Sequence, residues 1–122
     1  MSQLTTHILD TTKGKPASGV HVILYEHKQE EWIEITKGVT NNDGRIPDLL
    51  KKGAILELGT YKLRFETQSY FAKQSIQTFY PFVEITFLVT TEDHYHVPLL
   101  LNPFGYSTYK GSQKYGCLKE SH

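Results

Sequence analysis

The chain carries one cysteine among its 122 residues, and Cys117 alone cannot close an internal disulfide. A reducing compartment fits, with the cytosol as the default. Charge of one sign is missing too: thirteen Lys and Arg balance thirteen Asp and Glu, for a formal net charge of zero. That balance removes the electrostatic argument for nucleic acid or an anionic membrane as a partner, and it leaves no repulsion between copies to oppose self-association. No apolar stretch approaches a membrane span. The opening MSQLTTHILDTT has neither the basic segment nor the apolar run of an export signal. The last three residues, ESH, differ from the SKL peroxisomal address, so a peroxisomal location stays open without a visible signal.

What is present is apolar and aromatic: 39% of the chain is hydrophobic and 12% aromatic, enough for one domain with a real core and too little for two. The stretch VHVILY at residues 20 to 25 lies between the turn-like GKPASG and the polar HKQEE, which is how a strand is punctuated. The same grammar recurs in HILD, WIEITKGV, ILEL from Ile55, TYKLRFE, FVEITFLV, HYHVPLLL and GYSTYK. In YKLRF, Tyr61, Leu63 and Phe65 share one face, with Lys62 and Arg64 on the other. Eight short strands without a long helical pattern between them predict an all-β fold, an antiparallel sandwich. Only QSYFAKQSIQ, residues 68 to 77, has room for a helix, with Ser69 as its cap. The tail QKYGCLKESH, residues 113 to 122, is polar and reads as a flexible extension of a domain spanning 1–112.

Several residues carry chemistry, each with a plainer reading beside it. His94 and His96 are two apart, so on a strand they act on one small volume, either as acid/base or ligand groups or as strand-edge histidines. His7 opens the first strand and alone says little; His7, His94 and His96 together match the ligand count of one kind of catalytic zinc site, but no Cys, Asp or Glu cluster supports a metal. In NNDGRI, Asp43 and Gly44 predict a turn joining two strands, and Arg45 just after it is either a solvated charge or a fork for a planar, partly anionic ligand. In GYSTYKGS the hydroxyl groups, Tyr109 and Ser112 suggest a polar site wall; no G-x-S-x-G elbow frames Ser112 as a nucleophile.

Taken together, THILDTTKGKPASGV, TNNDGR and HYHVPLLLNPFGYSTYKGS resemble the transthyretin-related 5-hydroxyisourate hydrolases over nearly all of residues 4 to 112. The resemblance implies a transthyretin-like β-sandwich of two four-stranded sheets with one short helix. It implies a homotetramer with active sites in the channel at the dimer–dimer interface, and no cofactor. The implied reaction opens the 5-hydroxyisourate ring with water, the step after urate oxidation, giving 2-oxo-4-hydroxy-4-carboxy-5-ureidoimidazoline. It brings His7, Arg45, His96 and the segment Tyr109, Lys110, Gly111 and Ser112 into one pocket. There His96 or His7 is the natural base, Ser112 helps to polarise or relay the water, and Arg45 clamps the substrate. Tyr109, Lys110 and Gly111 contact the substrate, and His94 acts in support.

Two departures stand out. The family has Arg where this chain has Lys110, and an ammonium cannot reproduce a bidentate fork. Family members usually end at the counterpart of Ser112, whereas ten more residues follow here. The same superfamily also supplies a non-catalytic expectation, a transthyretin-like carrier of small hormones.

Overall fold

The computed structural model describes residues 2–111, so Ser112 and the extension expected at 113–122 lie outside the described residues. The chain runs β1 (Leu4–Asp10), β2 (Lys15–Pro16), β3 (His21–Lys28), β4 (Glu31–Val39), β5 (Gly59–Phe65), α1 (Thr67–Ala72), β6 (Val83–Val89), β7 (Tyr95–Asn102) and β8 (Gly105–Thr108). The strands make two four-stranded sheets, ordered β2-β1-β7-β8 and β4-β3-β5-β6. With the one short helix, this is the sandwich that the sequence predicts.

Side-chain alternation builds the core. Tyr61, Leu63 and Phe65 of β5 face Tyr95, Val97, Leu99 and Leu101 of β7 and Leu4 and Ile8 of β1 within one buried cluster, where each large apolar side chain contributes about 2 kcal/mol. Asp10 also points inward, 1% exposed. Its carboxylate accepts hydrogen bonds from the Tyr70 hydroxyl at 2.8 Å and from the Thr12 and Lys13 amides at 3.0 and 3.2 Å. A buried charge is tolerable only with such partners.

Three expectations change. The sandwich is not purely antiparallel, because β1 and β7 pair in parallel from Leu4↔Tyr95 to Asp10↔Leu101. These strands lie near opposite ends of the chain, with the whole second sheet between them, so no tight hairpin dictates their direction. Ile55–Leu58 is not a strand. Only Leu56 of that run is buried, and its N–H is satisfied by Gln3 Oε1 at 2.7 Å; the Glu57 carbonyl accepts from the Tyr61 hydroxyl at 2.6 Å. With side chains meeting its backbone, the segment needs no ladder. The strand that completes the eight is instead the two-residue β2, against the end of β1.

The helix is shorter and earlier than expected, spanning Thr67–Ala72 with Glu66 at its N-cap position and no side-chain cap, so Ser69 sits within it. Burial of Thr67, Tyr70 and Phe71 fixes its start, and the chain turns away at Ser75, which has φ of 59°. The turn at NNDGRI is present where the sequence predicts it, with the Gly44 N–H donating to the Asn41 carbonyl at 2.9 Å. It opens the long connection from β4 to β5 and crosses to the other sheet, where the Ile8 N–H donates to the Gly44 carbonyl at 2.9 Å and Arg45 forms an antiparallel bridge with His7.

Candidate active site

The outward face of the first sheet carries the chemistry. On β1 the inward positions are Leu4, Thr6, Ile8 and Asp10, so Thr5 and His7 must face away from the core. On β7 the same parity turns His96 outward, and the parallel register sets Thr5 beside His96 and His7 beside Pro98. His94 precedes the strand and shares that face: its ring lies nearly parallel to the His96 ring, with centroids 6.4 Å apart and an interplanar angle of 15°.

Arg45 reaches this face through the turn. Asn41 Oδ1 accepts the amides of Asp43 at 2.8 Å and Arg45 at 3.1 Å, which holds the loop in shape. Gly44 takes φ of 72°, and a Cβ there would stand 2.5 Å from the Ile8 carbonyl oxygen. Only glycine allows this approach, and the approach sets Arg45 opposite His7.

Gly111 arrives from the other side. Its N–H donates to the His96 carbonyl at 2.8 Å, and a Cβ on it would stand 2.5 Å from His96 Cδ2. The imidazole therefore lies directly against bare backbone. Tyr109 is 58% exposed, and the Lys110 ammonium sits 5.7 Å from the centre of the Tyr95 ring. Of the segment expected in the pocket, Gly111 is placed against His96, Lys110 is turned to Tyr95, and Ser112 falls outside the described residues.

Electrostatics tie the members together. The pKa of His7 is lowered, first by burial and then by the positive charge of Arg45, while the backbone and carboxylate of Asp43 oppose the shift. The pKa of His96 is lowered by burial, then by Arg45, His94 and His7, with a backbone hydrogen bond to Thr5 acting the other way. Both imidazoles are thus held neutral at pH 7 and able to accept a proton. Among the described residues, no group of three or more His, Cys, Asp or Glu is arranged to hold a metal ion, so His7, His94 and His96 do not form the zinc triad.

One residue at the site escaped the sequence analysis. Thr5 Oγ1 lies 2.8 Å from His96 Nδ1 and 3.0 Å from His94 Nε2. The signal was partial: Thr5 shares a strand face with His7, but only the β1–β7 register puts it between the two histidines of the other motif.

Known proteins share this architecture. A 5-hydroxyisourate hydrolase from Mus musculus is 46% identical over 114 residues, covering 91% of this chain and 96% of the relative. The solved structure of Klebsiella pneumoniae 5-hydroxyisourate hydrolase superposes with a TM-score of 0.79 at 38% identity, over 89% of this chain and 98% of that one. Sea bream transthyretin in complex with thyroxine superposes with a TM-score of 0.85 at 31% identity, over 93% of this chain and 98% of that one. The family model that matches residues 4–111 spans nearly every element described above, and the chain belongs to the HIUase/Transthyretin family.

Proposed function

We propose that this protein hydrolyses 5-hydroxyisourate in urate catabolism. The observation that carries the reading is the placement of Arg45 across a backbone bridge from His7, with its charge felt by both His7 and His96. Relatives named as hydrolases of this compound at 46% and 44% identity support it. His96 takes a proton from water, and the resulting hydroxide adds to the lactam carbonyl. Collapse of the adduct breaks the ring C–N bond, and the imidazolium returns the proton to the departing nitrogen. Arg45 offsets the charge that builds on the carbonyl oxygen, a contribution of about 3 kcal/mol for a preorganised donor. His7 and Ser112 polarise or relay the water, while Tyr109, Lys110 and Gly111 line the substrate.

The proposal extends to assembly as a homotetramer, the sites lying where dimers meet, and to the cytosol as compartment. Family membership supports an oligomer, as do the exposed apolar side chains Leu88, Phe104 and Tyr106 on and beside the strands that end the two sheets. Among the described residues no helix is long and apolar enough to cross a membrane.

The test is decay of 5-hydroxyisourate, generated from urate by urate oxidase and followed by ultraviolet absorbance. The full chain is expected to accelerate decay, and His96→Asn to lose about 10²-fold or more of that acceleration, the usual worth of a general base. A chain ending at Ser112 is assayed beside it, so that silence of both refutes the hydrolase. Likeness to the thyroxine complex favours one other reading, a carrier; thyroxine binding without turnover would establish it.

A further inference from the structure

The Thr5 hydroxyl touches two imidazole nitrogens, at 2.8 Å on His96 and 3.0 Å on His94. A hydroxyl has one proton to give. If it donates to one ring nitrogen, its oxygen is left to accept from the other, so the ring protons of the two histidines are coupled through this oxygen. Two arrangements exist. In one, Thr5 donates to His94 Nε2 and accepts from His96 Nδ1–H, which leaves Nε2 of His96 unprotonated. In the other, the directions reverse and His96 carries its proton on Nε2, where it cannot act as a base.

We infer that Thr5 and His94 are positioning residues, with the Thr5 hydroxyl donating to His94 Nε2 and thereby holding His96 as the Nδ1–H tautomer whose Nε2 is the basic atom. Three observations support this arrangement. The near-parallel rings, 15° apart in plane, present both nitrogens to one oxygen. The Thr5 backbone acts against the lowering of the His96 pKa, and a backbone acceptor on that side of the ring favours an N–H there. The Cδ2 edge of the His96 ring lies against the bare backbone of Gly111, while its Nδ1 edge faces the Thr5 hydroxyl. The inference rests on the hydrolase reading for its consequence, but not for its geometry.

Long-range proton–nitrogen correlation spectra of histidine-labelled full-length protein at neutral pH read the tautomer directly. The wild type is expected to show His96 protonated at Nδ1 and bare at Nε2, and Thr5→Ser to keep that pattern. Thr5→Val is expected to give mixed tautomers. His94→Leu is expected to enrich the Nε2–H form, because the freed hydroxyl then donates to His96. In the decay assay, Thr5→Val should lower kcat about tenfold with KM within about twofold, and Thr5→Ser should restore it, since tautomer control acts on the base and not on binding. An unchanged His96 tautomer in both Thr5→Val and His94→Leu would overturn the inference. Absence of turnover in the wild type would strike the hydrolase reading instead, and the spectra would still decide the tautomer.

Discussion

Three imidazoles and a guanidinium share the outward face, and the charges around His7 and His96 set the pH at which the site works. Burial and the Arg45 charge lower the pKa of His96 below the ordinary value of 6.5. A general base acts in its unprotonated form, so activity is lost as pH falls through that lowered pKa. The acid limb of the kcat/KM profile is therefore expected to lie at lower pH than an ordinary imidazole would place it. Arg45→Met removes a positive charge that acts on both rings; the pKa values of His7 and His96 should then rise, and the acid limb should move to higher pH. Titration of the two rings by NMR checks this separately from turnover. A Lys at 45 should preserve the pKa values better than it preserves rate, because an ammonium keeps the charge but not the fork.

Backbone devices on individual elements hold that arrangement in place. Gly44→Ala forces a side chain into a left-handed turn and against the Ile8 carbonyl, so a loss of about 2 kcal/mol is expected in urea unfolding. Activity should fall further than stability, since the same turn presents Arg45. Gln3→Ala leaves the buried Leu56 N–H without its acceptor, at a cost of about 1–3 kcal/mol. Amide exchange confined to the segment around Ala54 to Leu58 would locate the damage.

These two devices also mark how far the sequence could be read. Strands such as β5 were legible because one face is buried and the alternation of Tyr61, Leu63 and Phe65 follows from that. Ile55–Leu58 has the same apolar composition, yet Ile55 and Leu58 are 55% and 63% exposed, and a side-chain acceptor from Gln3 replaced the ladder. No local pattern shows a hydrogen bond made across 53 positions. At the site, the parity of His94 and His96 was visible, whereas Thr5 was not, because its place depends on a parallel register between distant strands.

At the scale of the molecule, each sheet ends in a strand with apolar side chains facing solvent, Leu88 at 63% and Tyr106 at 43% exposure. Burial of such surface is what stable self-association requires. Sedimentation at micromolar concentration is expected to report a species about four times the 14.0 kDa chain mass; a monomer would refute the assembly proposed above. The parallel pairing of β1 with β7 also has a meaning for synthesis. On a ribosome β1, which holds Thr5 and His7, waits for some ninety residues of translation before the strand bearing His96 can lie beside it. A chain interrupted before β7 therefore holds only the β1 wall of the site, and the nascent protein stays chemically silent until β7 has been made.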